Sequence, residues 1–268
     1  MIGARHWDSS PDIGTPLAPT FSVIIATCDR LQLLVDALRS VAEQSLLPLD
    51  VRIGDAGAVP ATDAVEVPKL LDVSWVRTRG AVAAATRNAA AHDAQGEVLA
   101  FLDDDDRWLP AHLEQLAKVF ADRAVELAYA DAVVIRERID ERGERIELDR
   151  RPLAHDWDEP MMRTNDWIAP SAFAVRRSRF ESLGGFDESF TASEDWDFLL
   201  RAARHATPRR VRGVTSEVRM RQSGNQSADF GRARRSYLAQ LAARHGLPAL
   251  EPRTFWEVAE ILTGGTPR

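Results

Sequence analysis

The chain has few of the residues that build disulfides or soft-metal sites. Cys28 is the one cysteine among 268 residues, so no disulfide can form within the chain and a reducing compartment is favoured. The six histidines show no ligand spacing such as His-x-x-x-His, which argues against the usual zinc motifs. Because no histidine lies near Cys28 in sequence, we predict a small buried residue and not a nucleophile.

Long apolar runs are also missing. No stretch approaches the roughly 18 to 20 apolar residues of a membrane span, which argues against a synthase that extrudes its polymer through its own helices. Residues 1–20 carry Arg5, Asp8 and Asp12 and lack the apolar centre of a signal peptide. We therefore expect an N-terminal lead-in over 1–20 and a cytoplasmic protein. Peripheral contact with the inner face of the membrane stays open.

Positive charge is in deficit. The chain has 34 Lys and Arg against 41 Asp and Glu, a net charge of −7. This balance argues against nucleic-acid binding, because phosphate contacts need a surplus of cations. High alanine and arginine content suggests a GC-rich bacterial genome. The sequence leaves the oligomeric state open, with a homodimer as one arrangement.

The first half alternates short apolar strands with helices. Strands are predicted at 21–26, 50–54, 73–77 and 98–102, because each is a short apolar or β-branched run. A helix with one apolar face follows the first strand, and alanine-rich residues 81–94 favour another. This alternation predicts a parallel sheet. No GxGxxG or P-loop pattern occurs, which argues against a standard dinucleotide fold or an ATPase.

The second half is less regular. Charged residues 136–149 predict an exposed hairpin or mobile loop, and 215–227 a polar loop. Thr27 or Asp29 is placed to cap the first helix, and Ser193 to cap a helix that begins at Glu194. Strands are predicted at 126–135, 171–176 and 209–214, and C-terminal helices at 236–243 and 255–262.

Four consecutive carboxylates, Asp103 to Asp106, directly follow the apolar run 98–102. They should lie at the carboxyl end of a strand, where open α/β sheets bind ligands. Adjacent carboxylates repel one another, and their oxygens suit Mg²⁺ or Mn²⁺. Asp103 and Asp105 could serve one ion together. A solvated acidic turn is the simpler alternative.

Four segments in order resemble the family 2 glycosyltransferases, over about Phe21 to Ser227. They are Ser22 to Thr27 with the helix after it, Asp55-Ala56-Gly57, Phe101 to Trp108, and Gly184-Gly185-Phe186-Asp187 followed by Glu194-Asp195-Trp196-Asp197. The resemblance implies an α/β GT-A fold. Its mostly parallel, Rossmann-like central sheet would be flanked by helices, with a C-terminal acceptor-binding portion and terminal helices. It further implies one GT-A domain over 21–228, split into a nucleotide-sugar-binding half, 21–130, and an acceptor-binding half, 131–228, with a helical extension over 229–268.

The resemblance also implies a reaction and a donor site. Such enzymes move a sugar from a nucleotide diphosphate to an acceptor hydroxyl and invert the anomeric carbon. Asp105 would bind Mn²⁺ or Mg²⁺, with Asp106 in reserve, and Asp55 would read the nucleobase edge. The implied nucleotide-sugar-binding residues are Ala26, Thr27, Asp29, Asp55, Arg87, Asp103 and Asp104. The chain has Ala26-Thr27-Cys28-Asp29 where the family commonly has Pro-Thr-Tyr-Asn, which leaves the nucleotide open, with a UDP-sugar favoured.

The general base implied by the family's Glu-Asp motif is Asp195, since a positioned carboxylate can take the acceptor's proton. Trp196 could stack on the acceptor, with Glu194 beside it. A basic segment with Arg219, Arg221 and Gln222 could close over the diphosphate. The acceptor itself, whether a glycan, a lipid-linked sugar or a natural product, is not determined.

Two other functions use the same residues. One is a metal-dependent sugar-phosphate phosphatase or nucleotidyltransferase. Phosphatases with an Asp-x-Asp nucleophile usually carry it on the first strand, whereas three strand–helix units precede it here. The other is a non-catalytic nucleotide-sugar-binding protein, against which the full set of carboxylates argues.

Overall fold

The first half of the chain folds as alternating strands and helices. The computed structural model describes residues 18–142, 144–221 and 231–264, so most of the predicted lead-in, 1–17, lies outside the described residues. The elements are β1 (Phe21–Thr27), α1 (Leu31–Ala42), β2 (Asp50–Asp55), a 3₁₀ turn (Ala61–Asp63), β3 (Val73–Arg77), α2 (Ala83–His92) and β4 (Val98–Asp103). The strands pair in parallel in the order β3-β2-β1-β4. Because Ala26 pairs with Asp103 and Thr27 with Asp55, their carboxyl ends meet at one edge.

The second half extends the same sheet with mixed pairing. Its elements are β5 (Arg107–Trp108), α3 (His112–Phe120), β6 (Leu127–Ile139), β7 (Arg145–Leu153), α4 (Glu159–Met162), a 3₁₀ turn (Pro170–Ala172), β8 (Phe173–Arg176), α5 (Arg177–Ser182), α6 (Glu194–Ala203), β9 (Arg209–Arg221), α7 (Gly231–His245) and α8 (Phe255–Leu262). The sheet continues as β4-β8-β6-β9-β5, and β7 pairs with β6 as a hairpin. β8 runs antiparallel to both β4 and β6. The parallel half therefore joins a mixed half, which confirms the α/β class.

Strand β9 is longer than the sequence pattern predicts. The sequence pattern predicts a polar loop from residue 215, but β9 continues to Arg221 beside β6. Thr215 and Ser216 are buried there, and both hydroxyls have partners, His112 and the carbonyl of Ser171. Polar residues typical of a loop are thus satisfied inside the protein. Residues 222–227 lie outside the described residues.

Strand β4 is the most completely buried element near the acidic turn. Every residue from Val98 to Leu102 is at most 1% exposed. One face packs against α1 and α3, and the other meets an aromatic cluster in which Phe101 lies 5.1 Å, between ring centroids, from both Phe173 and Phe186. A strand fixed on both faces gives the carboxylates after it a fixed position.

The C-terminal helices pack onto the aromatic side of the sheet. Leu238 and Leu241 of α7 and Trp256 of α8 are buried there. Arg136 and Arg151 both lie over the Trp256 ring, 4.7 and 4.6 Å from its centroid. No helix within 18–142, 144–221 or 231–264 is long and apolar enough to cross a membrane.

Two helices begin without the predicted side-chain caps. Arg30 is the N-cap of α1, while Thr27 donates to Asp104 and Asp29 accepts from the backbone of Ala58. Ser193 precedes α6 with φ of 64°, in the left-handed region, and makes no cap bond. Thr27 and Ser193 line a cavity instead, so these side chains shape a site and not a helix end.

Candidate active site

A cavity of about 430 Å³ opens at the carboxyl ends of β1 and β4. Its walls are the turn after β1, the acidic turn after β4, the start of α6 and the end of β9. The C-terminal helices add Arg234 and Phe255. The titratable residues that line it are Cys28, Arg30, Arg87, Asp103, Asp104, Asp105, Asp106, Asp166, Glu194, Asp195, Arg219 and Arg234.

The four carboxylates that begin at the last residue of β4 alternate between more exposed and more buried positions. Asp104 accepts from the Thr27 hydroxyl at 2.7 Å and from Arg30 at 3.2 Å. Asp106 accepts from the Ser171 hydroxyl at 2.5 Å and from the backbone N–H of Arg219 at 2.8 Å. The side chains of Asp103 and Asp105 are 27% and 15% exposed. This turn is therefore built into the protein and is not a solvated one.

Three of these carboxylates converge. One oxygen each from Asp103, Asp105 and Asp106 lies within 4.8 Å of the others. Hard oxygen donors on short side chains suit Mg²⁺ or Mn²⁺. The residues present thus fit a divalent cation, with the reserve candidate Asp106 included. Both oxygens of Asp104 already have partners, so this residue supports the turn.

Crowding and burial raise the pKa values of the two buried carboxyl groups, Asp104 and Asp106. Burial, then repulsion from Asp105, raises the pKa of Asp104 to about 7, against the opposing effects of Arg30 and Thr27. Burial and the same neighbour raise the pKa of Asp106 well above its usual range. The protein alone therefore leaves negative charge in the turn incompletely balanced, which a bound cation would offset.

Arg87 connects the acidic turn to the start of α6. Its guanidinium is buried, donates to Asp103 at 2.5 Å, and forms a second ion pair with Glu194. The next residue, Asn88, accepts from the backbone N–H of Phe186 and donates to its carbonyl. A Cβ at Gly185 would lie 2.6 Å from the Asn88 side-chain oxygen. The Arg-Asn pair therefore fixes the segment that leads into α6.

Asp195 lies in the first turn of α6 and lines the cavity. One of its oxygens accepts from the backbone N–H of Trp196 at 2.9 Å. Burial, then repulsion from Glu194, raises the pKa of Asp195 to about 7, while Arg87 opposes the shift. A carboxyl group with this pKa can exchange a proton near neutral pH.

Asp166 is a site residue that the sequence interpretation missed. It lines the same cavity, and one of its oxygens accepts from the backbone N–H of Ile168 at 3.1 Å. Burial, then the charge of Asp195, raises the pKa of Asp166 well above its usual range, and Arg234 opposes this. It belongs to a stretch without hydrophobic periodicity, so no sequence pattern marks it.

Two predicted nucleotide-binding residues, Asp55 and Asp29, accept hydrogen bonds from other groups of the protein. Asp55 is 1% exposed and accepts from the backbone N–H groups of Gly57 and Ala61 and from Arg77. Asp29 accepts from the backbone N–H of Ala58 at 2.9 Å. Neither borders the cavity, whereas Ala26 and Thr27 do. Asp55 and Asp29 therefore organise the turn after β2; Asp29 is exposed, and the nucleotide-binding role of both residues stays a prediction.

Two expectations were wrong, the stacking of Trp196 on the acceptor and the burial of Cys28. Trp196 is 4% exposed, packs in the core, and donates its indole N–H to the carbonyl of Met162. It leaves no ring face for an acceptor, so we do not retain the stacking role. Cys28 is exposed and lines the cavity, contrary to the prediction of a buried residue. The reason is that β1 ends at Thr27 and the turn leaves the sheet.

The basic residues of β9 do reach the site. Arg219 lines the cavity, and Arg221 donates to Asp105 at 2.6 Å. In both cases the long β9 strand carries the side chain, in place of the loop that the sequence predicts. Gln222, the third member of that group, lies outside the described residues.

The chain matches a known family of enzymes. Residues 76–246 match the family described as "Glycosyltransferase like family 2". The uncharacterized glycosyltransferase YwdF of Bacillus subtilis is 32% identical over 238 residues, which cover 87% of each protein. An uncharacterized glycosyltransferase of Haemophilus influenzae is 25% identical over 182 residues, 67% of this chain and 60% of that protein.

A solved structure shares the fold. S. aureus TarS 1–349, in complex with UDP-GlcNAc, superposes with a TM-score of 0.55 and 17% identity. The match covers 84% of this chain and 66% of the TarS chain, so this chain spans just under two thirds of it. This likeness shows the fold alone, the GT-A arrangement. The family match and the B. subtilis relative establish that the chain belongs to the family 2 glycosyltransferases.

Proposed function

We propose that this glycosyltransferase moves a sugar from a nucleotide diphosphate-sugar, with UDP as the nucleotide, to an acceptor hydroxyl with inversion. One observation carries the proposal: Asp195 shares a cavity with Asp103, Asp105 and Asp106, and Arg87 connects the two groups. Inversion in one step needs a base on the face of the sugar opposite the leaving group. The cavity offers carboxylates for both ends.

In the proposed reaction the acceptor oxygen attacks the anomeric carbon while its proton passes to Asp195. The bond from that carbon to the diphosphate oxygen breaks, and the electron pair leaves with the diphosphate. A divalent cation held by Asp103, Asp105 and Asp106 would offset the charge that develops there. Ala26 and Thr27 line the nucleotide end, and Asp104 fixes the Thr27 hydroxyl.

The acceptor end is assigned to the second half of the chain. Asp166, Arg234 and Phe255 line the cavity together with Glu194 and Asp195. Glu194 is held by Arg87, so its role is to place Asp195 and the start of α6. The helical extension therefore contributes side chains to the site and not only packing.

A panel of nucleoside diphosphates with and without Mn²⁺ tests the donor. At saturation of about 100 times Kd, UDP with Mn²⁺ should raise Tm by roughly 5–10 °C, since linked binding stabilises the folded state. Release of UDP from a UDP-sugar should then depend on an added acceptor. Phosphate release from a sugar phosphate without an acceptor would favour the phosphatase alternative. Donor binding without turnover across a broad acceptor panel would favour the binding-protein alternative.

The pH dependence of the rate follows from the raised pKa of Asp195. A general base works only when deprotonated, so kcat/KM, which reports the free enzyme, should rise with pH through an apparent pKa near 7 and level off above it. The measurement is the pH dependence of kcat/KM for the donor. A profile that stays flat from pH 5 to 9 would contradict a base with this pKa.

A further inference from the structure

The metal ligand Asp105 is already held by two arginines. The same Asp105 oxygen accepts from Arg30 at 3.1 Å and from Arg221 at 2.6 Å. The arginines come from two separate segments, Arg30 from the turn after β1 and Arg221 from the end of β9. Their guanidinium groups therefore supply positive charge at the carboxylate that a metal ion would bind.

A metal ion at Asp105 would compete with both arginines for one carboxylate. A divalent cation at Asp105 would bring three positive groups to one carboxylate, and like charges at such distances repel strongly. Arg30 has a second contact, with Asp104 at 3.2 Å, and stays near the turn. A diphosphate is the natural new partner, because guanidinium groups bind phosphate oxygens with matched geometry.

Arg221 also lies near a second carboxylate, that of Glu137. Its other nitrogen lies 4.0 Å from Glu137, a buried carboxylate that is 2% exposed and also pairs with Arg145 and Arg219. This contact would keep the guanidinium near the acidic turn after it releases Asp105. The movement required is a change of partner and not a displacement of the strand.

We propose that Arg30 and Arg221 bind the donor's diphosphate and, until it arrives, hold Asp105 away from the metal. This inference rests on the proposed function and adds that binding of the nucleotide and of the metal is coupled. The metal alone binds weakly, and the nucleotide diphosphate increases metal affinity by removing both arginines from Asp105. By reciprocity, the metal increases nucleotide affinity by the same factor.

The test measures the Kd of Mn²⁺ by calorimetry, with and without UDP, in the wild type and in Arg221→Met and Arg30→Met. UDP should tighten Mn²⁺ binding by about tenfold or more in the wild type. Without UDP, each variant should bind Mn²⁺ about fivefold more tightly than the wild type, and the effect of UDP should shrink. Arg212→Met is the matched control, because Arg212 is an exposed residue paired with Asp156. It should bind like the wild type.

The outcomes separate this inference from the proposed function. If UDP tightens Mn²⁺ binding but neither variant binds Mn²⁺ alone more tightly, the inference is overturned and the glycosyl transfer proposal stands. If UDP has no effect in any protein while both variants bind Mn²⁺ more tightly, the proposed donor is wrong and the arginine contacts with Asp105 are supported. Two variants on different elements guard against a local folding defect.

Discussion

Replacing Asp195 with asparagine should lower kcat for sugar transfer by about 10²–10⁴-fold, the range expected for loss of a general base. The amide has nearly the same size and cannot accept the acceptor's proton. Its environment is otherwise unchanged, because the contact with the backbone of Trp196 needs only an oxygen. UDP affinity should stay within about threefold of the wild type, since this carboxylate does not belong to the metal trio.

Stability measurements separate lost chemistry from lost folding. The pKa of Asp195 in the folded state is raised from 3.8 to about 7, so the folded protein binds an extra proton between these values and stability falls as pH rises through them. Asp195→Asn should therefore be at least as stable as the wild type at pH 8, by urea titration. The matched control is Asp156→Asn, at an exposed ion pair with Arg212.

Retention of more than a tenth of wild-type kcat in Asp195→Asn would assign the base elsewhere. Asp166 is then the carboxylate to examine, because it lines the same cavity and its pKa is also raised. The corresponding Asp166→Asn variant decides between the two. A loss confined to Asp166→Asn would move the base from α6 to the segment before β8.

Local patterns were enough to predict the central strand and the acidic turn. Val98 to Leu102 is apolar throughout, and such a run is buried wherever a sheet is covered on both faces. The carboxylates that follow must then lie at the sheet edge. The family resemblance rests on the same local segments, so it predicted the fold class, which the structure confirms, and the base role of Asp195, which stays a prediction.

Long-range partners could not be predicted in this way. Arg30 and Arg221 reach Asp105 from 75 and 116 residues away, and periodicity contains no information about which cation neutralises which carboxylate. The acceptor-stacking role predicted for Trp196 was wrong for a related reason, because on α6 the residue after Asp195 faces the core. Polar residues 215–221 were misread because hydroxyl groups can be satisfied inside a sheet as well as in water.

The second large effect is expected for Arg87→Met, which should lower the free energy of unfolding by about 3–5 kcal/mol, the cost of leaving a buried charge without its partner. The Glu194 and Arg87 side chains are each 7% exposed, so little water can reach Glu194 to replace the guanidinium. The urea midpoint at pH 7.5 measures the loss. Arg39→Met, at a surface pair with Asp36, is the control and should cost about 0–1 kcal/mol.

The double variant Arg87→Met/Glu194→Gln shows why the loss occurs. If the unpaired carboxylate is the cause, neutralising Glu194 should recover about half of the lost stability or more, because the buried charge is then gone. Asp103 would still lack its partner, so sugar transfer should stay impaired although the fold is restored. A double variant no more stable than Arg87→Met would instead attribute the loss to packing of the arginine stem against Phe186, whose ring centroid lies 5.8 Å from the guanidinium carbon. In either case Arg87 contributes to the site by connecting the acidic turn after β4 to the start of α6.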